Sequence, residues 1–241
     1  MKILYLDASA GVSGDMLLAA LLDMGLPARR VRSVINAIGL PHLRFFVERV
    51  QKQGQAAARV IFRQEGSGNG SFRRAADGYQ RLRGAVGLSG SIRENLKKIL
   101  SALARAEARV HGVSPALVRF HQVGTPDTLA VWAGICAGFD HFQVKALYCS
   151  DIPIGRFHLG HHGEKIFSPG PATRLLLRDF RTRLLAERFE RTTPTGAAVL
   201  SALGSPGSAP VFALLKIGNG TGQKSPPDGH GVLRLFLGKT G

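Results

Sequence analysis

Four short polar strings in this chain carry the residue types that hold ions and anions. The first runs from Asp7 through Gly11, Ser13 and Gly14 to Asp15, between an apolar run at Ile3 to Leu6 and a second one from Met16. That order predicts a buried strand, a glycine-bearing turn and a helix over Met16 to Leu22. Gly11 and Gly14 let the backbone turn tightly and leave main-chain N–H groups open to a ligand. Ser13 and Asp15 are N-cap types, and a helix N-terminus favours anions such as phosphate. The carboxylates of Asp7 and Asp15 would repel a bare phosphate, so a phosphate bridged by a cation suits this corner better. The same residues also serve an ordinary strand-to-helix turn with a capped helix, and local pattern does not choose between the two.

The second string is Phe120-His121-Gln-Val-Gly-Thr-Pro-Asp127. Imidazole nitrogen and carboxylate oxygen are ordinary ligands for a borderline divalent metal. A turn histidine followed by a capping aspartate is the commoner use of that spacing. The third is His158-Leu-Gly-His161-His162-Gly163, which gathers three of the eight histidines. Adjacent histidines in a strand point to opposite sides, so His161 and His162 would not share one metal there. One of them could combine in space with His121, His158 or Asp127. The fourth is Thr192-Thr193-Pro194-Thr195-Gly196-Ala-Ala, where hydroxyls and a glycine open a helix and offer donors to an anion. Gly218-Asn-Gly-Thr-Gly222 reads as a further flexible backbone segment near the same pocket. Loops of this kind at element ends suit a ligand cleft in an α/β fold. No nucleophile elbow, Walker pattern or dinucleotide fingerprint is present, so no catalytic residue is assigned.

These strings need a scaffold, and 241 residues with 44% hydrophobic content supply a real core. The fold class expected is α/β: a mixed α+β N-terminal lobe over residues 1–90, then a helix and an α/β lobe over 91–241. In the first lobe, helices within Leu17 to Ala37 break at Gly25-Leu-Pro27. Leu43 to Val50 and Ala56 to Arg63 then form a hairpin. Ser91 to Gly112 is the clearest helix, with Ser91 as cap, Glu94 at the capping-box position and Gly112 as terminator. Further helices are expected at Leu129 to Phe139, Pro171 to Arg178 and Thr195 to Leu203. Strands are expected at Val144 to Ser150, Val211 to Ile217 and Val232 to Leu237.

The formal net charge of +16 and a pI near 11 are unusual for a small-molecule enzyme. Such a surface attracts polyanions non-specifically, or it reflects arginine-biased solvated faces. Aromatics are 7% and there is no zinc finger, RNP-type aromatic motif or basic zipper. The apolar runs fall short of a membrane span and the start of the chain does not read as a signal peptide. Cys136 and Cys149 are not spaced as a metal knuckle or redox pair. A reduced cytoplasmic setting with no membrane partner is therefore expected.

In this order the strings resemble the LarC family of nickel insertion proteins. The resemblance rests on Asp7 with Gly11-Val-Ser-Gly-Asp-Met16, Ala108-Arg-Val-His-Gly112, and Phe120-His121 with Val123-Gly124 and Asp127. It continues through Tyr148-Cys-Ser150, Pro153-Ile-Gly155, His162-Gly163, Pro169-Gly-Pro-Ala-Thr173 and Thr193-Pro-Thr-Gly-Ala-Ala198. Gly218, Gly220, Gly222 and Val232-Leu-Arg234 close it. The match is weakest between about Arg63 and Leu88.

The resemblance implies a role in making the nickel-pincer nucleotide of lactate racemase. The family acts as a CTP-dependent cyclometallase of the lyase class. It inserts nickel into a pyridinium bisthiocarboxylate mononucleotide. Carried over, His121, Asp127 and His162 become metal candidates. Asp7, Gly11, Ser13, Gly14, Asp15, Thr193, Thr195 and Gly196 become candidates for the nucleotide-like substrate. The matched strings belong to the family's N-terminal portion. The expectation is therefore that the CTP-binding domain, with its Mg or Mn, comes from a separate partner chain; a homo-oligomer is a further expectation. Gln122 stands where the family usually has Glu, Val131 where it has a second acid, and Lys224-Ser225 where it has Arg-Asp. Those changes motivate an alternative: a non-catalytic basic binding protein, a relative that has lost its metal chemistry.

Overall fold

The structure is a computed structural model and describes residues 1–65, 72–120, 123–155, 158–161, 164–224 and 226–241; for 158–161 and 164–167 it describes the backbone alone. Strand β1 (Lys2–Asp7) leads into helices α1 (Gly14–Asp23) and α2 (Ala28–Ala37). The hairpin β2 (Leu43–Lys52) and β3 (Gln55–Gln64) turns at Gln53 and Gly54, whose φ values of 49° and 76° close a tight turn. Helices α3 (Ala75–Gly84) and α4 (Gly90–His111), a single 3-10 turn at Pro115–Leu117, and α5 (Pro126–Phe142) follow. The remainder is β4 (Ala146–Cys149), β5 (Ile152–Gly155), β6 (His158–His161), β7 (Glu164–Phe167), α6 (Pro171–Leu176), β8 (Thr182–Leu185), α7 (Pro194–Leu203), β9 (Ala213–Thr221) and β10 (Val232–Lys239).

Six strands form one mixed sheet in the order β2-β3-β9-β10-β1-β4, with β3–β9 and β1–β4 parallel and the other pairs antiparallel. Chain from both ends meets in it, because β1 pairs with β10 over its whole length, Lys2 opposite Lys239 through Asp7 opposite Arg234. Two-stranded pairs β5–β8 (parallel) and β6–β7 (antiparallel) lie outside this sheet. The α/β class expected from the alternation of patterns is what the chain adopts.

Helix α5 is the hub of the core. Thirteen of its residues are buried, Trp132 completely. The α1–α5 contact is close because Gly134 and Gly138 present no side chain. A Cβ on either would sit 2.7 Å from Leu18 or Leu21. Phe72 packs edge-on against Phe120 and Trp132, at 5.7 and 6.4 Å between ring centroids, which ties the segment before α3 to this core. That segment, where the family resemblance is weakest, is thus anchored by a fully buried ring and followed by a helix.

Two local expectations change. Helix α4 is capped by Ser89, whose Oγ accepts the Ile92 amide at 3.4 Å. Ser91 lies inside the first turn and donates to Asp140 of α5 instead. Gly218 to Thr221 belong to β9 and are not a loop. The lack of a side chain at Gly218 and Gly220 serves packing: a Cβ on Gly218 would lie 2.1 Å from the Ala20 carbonyl oxygen, and one on Gly220 2.0 Å from that of Met16. The strand therefore lies directly on the backbone of α1, and glycine marks close approach rather than a turn.

Candidate functional site: a cavity at three helix N-termini

The turn after β1 and the turn before α7 are held together by backbone. The Val12 amide donates to the Arg191 carbonyl at 2.9 Å and the Thr193 amide donates to the Val12 carbonyl at 3.0 Å, a short parallel bridge. Gly11 sits at φ 104° with its α-carbon against the Arg191 carbonyl, where a Cβ would approach to 2.1 Å. Gly196 abuts the Val12 carbonyl in the same way, at 2.5 Å for an added Cβ. Gly14 faces Val131 and Thr195. Gly11 and Gly196 shape the site by letting backbones meet, and Gly14 by leaving room for the Val131 and Thr195 side chains; none of the three lines it.

The bridge sets two helix starts side by side. Ser13 caps α1, its Oγ accepting the Met16 amide at 3.4 Å. Thr193 caps α7, its Oγ1 accepting the Gly196 amide at 3.3 Å and standing 2.8 Å from the Thr195 hydroxyl. A third start joins them: α5 begins at Pro126, and Trp132 donates from Nε1 to the Thr195 carbonyl at 3.2 Å, fixing α5 against α7. Around these termini lies a cavity of about 700 Å³. Ser13, Asp15, Asp127, Thr193 and Thr195 all line it, as do Val131 and Lys224. Three helix dipoles directed at one space favour negative charge there, while Asp15 and Asp127 supply carboxylates for a cation.

Two cavity residues escaped the sequence reading. Glu190 is mostly buried, and burial pushes its carboxyl above the usual range against the pull of Lys224. Arg191, 4% exposed, spans the cavity wall. It donates to Glu187 at 2.5 and 2.8 Å, to Asp228 at 2.6 Å and to the His230 carbonyl at 3.0 Å. The Glu187 hydrogen bonds, then Asp228, raise the basicity of the guanidinium. A run of arginines in the sequence gives no signal for which one is buried; the Glu four residues earlier is the only local hint.

Asp7 lies elsewhere. Its Oδ2 accepts from Arg234 at 2.5 and 3.1 Å and its Oδ1 from the Ser9 amide at 3.0 Å. Burial pushes its carboxyl up, but the Ser9 and Arg234 hydrogen bonds outweigh this and hold it below the usual range. Its partner Arg234 faces an adjoining chamber rather than the main cavity. His121 lies outside the described residues, as does His162. Among the described residues no three His, Cys, Asp or Glu side chains stand close enough to hold a metal. Burial raises both thiols, Cys149 to about 11, so neither offers a ready thiolate. Among the described residues no helix is long and apolar enough to cross a membrane.

A family model described as nickel insertion protein matches residues 4–241. A Geobacter metallireducens protein named for nickel insertion is 37% identical over 242 residues, covering 99% of this chain and 61% of the relative. A Nocardioides protein named pyridinium-3,5-bisthiocarboxylic acid mononucleotide nickel insertion protein is 36% identical over 239 residues, covering 99% and 60%. The chain thus spans about three-fifths of the length of the curated relatives it matches. No solved structure matches it. With the glycine-tight turns and the shared cavity in the arrangement described, and with a family match over nearly its whole length, the chain belongs to the nickel insertion protein family.

Proposed function

We propose that this chain binds nickel, as a substrate, beside an anionic pyridinium mononucleotide and takes part in inserting the metal. The observation that carries the reading is the convergence of three helix N-termini and the carboxylates of Asp15 and Asp127 on one cavity. Helix starts alone would suit a bare anion, and carboxylates alone a bare cation. Together they suit a cation bridged to an anionic ligand. Asp127 and Asp15 are oxygen ligands for the metal in this reading, and His121 and His162 supply nitrogen. Thr193, Thr195 and Ser13 bring hydroxyls to the cavity, their helix-start amides making it electropositive. The name of the Nocardioides relative supports the identity of the metal and of the mononucleotide. CTP, with Mg or Mn, is the co-substrate in this reading, and the setting is cytoplasmic.

Titration of the full chain with nickel chloride by isothermal calorimetry tests this. Micromolar binding that weakens at least about tenfold in His121→Ala and in Asp127→Asn is the expected result. Heat only from polyanions, with a steep salt dependence, would replace it with the basic binding protein that Val131 and the net charge suggest.

A further inference from the structure

A second chamber of about 520 Å³ adjoins the main cavity, and Ala10 and Gly231 line both. The two differ in charge balance. The main cavity sets the acids Asp15, Asp127 and Glu190 against the bases Arg188, Arg191 and Lys224. The second is lined by Lys52, Arg183, Arg234 and His230, with Asp228 as its one acid. Asp228 is already committed, accepting from Arg191 at 2.6 Å and from the His230 amide at 2.9 Å. Its carboxyl is held low by those hydrogen bonds against the opposing effect of burial. Gln53 donates to the Asp228 carbonyl at 2.7 Å, which clamps the β2–β3 turn over the chamber.

Two guanidiniums here are set up differently. Arg234 is held by Asp7 through Nε and Nη2, which fixes its plane and leaves Nη1 without a partner among the described residues. Arg183, on the exposed strand β8, has no ion pair or hydrogen bond from its side chain among the described residues. A fixed fork and a free one, with a lysine beside them, match the several oxygens of a phosphate monoester.

We propose that this chamber is a phosphate subsite, gripping the phosphate monoester of a mononucleotide whose ring end reaches past Ala10 and Gly231 into the main cavity. The inference rests on the function proposed for the main cavity and names where the substrate's phosphate goes. Asp7 is then a positioning residue, acting through Arg234.

The test compares nicotinamide mononucleotide with nicotinamide riboside, the same pyridinium ligand without phosphate, by calorimetry on the full chain. The mononucleotide should bind about tenfold tighter or more. Arg183→Glu, at an exposed position that folding does not need, should abolish that advantage and leave riboside binding unchanged. Asp7→Asn should reduce the advantage part way. Equal affinity for the two ligands, binding of neither, or an advantage that survives Arg183→Glu overturns the subsite. Inorganic phosphate competing as strongly as the mononucleotide also overturns it, since free phosphate would then be the ligand. Nickel titrated without nucleotide reads the other proposal separately. Nickel binding kept in Arg183→Glu and lost in Asp127→Asn is expected. Loss of nickel binding in the parent chain with an intact phosphate advantage removes the nickel function and leaves the subsite.

Discussion

The amide of Thr193 donates to the carbonyl of Val12 at 3.0 Å, joining residues 181 positions apart in a bridge of only one residue pair. That bond sets the spacing between the starts of α1 and α7, and with it the electropositive side of the main cavity. Its neighbours tolerate no added atom, because Gly11 and Gly196 press directly on the opposing carbonyls.

Gly11→Ala should therefore destabilise the fold by about 3 kcal/mol, combining a positive φ with a backbone collision. Gly54 provides the control: its φ is 76° but an added Cβ meets nothing within 4 Å. Gly54→Ala should cost only about 1 kcal/mol. Denaturant unfolding of both variants checks this, and equal losses would mean that the Arg191 contact carries no weight.

Ser13 and Asp15 separate capping from ligand binding. Ser13→Ala removes the cap of α1 and should lower stability by about 1 kcal/mol, or roughly 2–4 °C in melting temperature for a chain of this size. Asp15→Asn keeps the cap and should leave the melting temperature nearly unchanged while weakening nickel binding. A large thermal loss in Asp15→Asn with unchanged binding would make that residue structural only.

Glu190 and Asp7 should pull stability in opposite directions with pH. The folded pKa of Glu190 is raised by burial, so its contribution is complete below the unfolded carboxyl pKa of about 4.3 and is lost as pH rises through the folded value. Glu190→Gln should be more stable than the parent at pH 7, with the gain vanishing at acid pH. The folded pKa of Asp7 is lowered because the hydrogen bonds from Ser9 and Arg234 outweigh its burial, so its contribution is present above about 3.9 and lost as pH falls through the folded value. Asp7→Asn should be less stable than the parent at pH 7 and converge with it in acid. Melting curves between pH 3 and 8 read both, and parallel curves would contradict the assignment.

The thiols should be silent. Cys136 is fully buried and Cys149 is raised to about 11 by burial and by the charge of Asp151. Iodoacetamide at pH 8 should label neither in the native chain at a rate near that of free cysteine, and Cys149→Ser should bind nickel as the parent does. Rapid labelling at Cys149, or lost nickel binding in the serine variant, would show that a thiolate takes part.

The sequence by itself determined most elements and the polar strings between them. Helical spacing of Val31, Val34 and Ile35 and the cap-type hydroxyls of Thr193 and Thr195 are local properties, written within a few residues of where they act. So is the placement of Ser13, Asp15 and Asp127 at or near helix starts. Only the tertiary structure decided which starts meet, because the Val12–Thr193 bridge joins distant turns. The same holds for Asp7, whose partner Arg234 comes from the opposite end of the chain through the β1–β10 pairing. It holds for Gly218 and Gly220, which read as a loop until α1 lies on them, and for Ser91, which gives up the cap to reach Asp140. Which arginine is buried is settled the same way, since Arg191 draws on Asp228 and His230 from a remote loop. Periodicity and capping are short-range and survive in a string of letters. Burial, charge pairing and close backbone approach exist only once distant segments share one place.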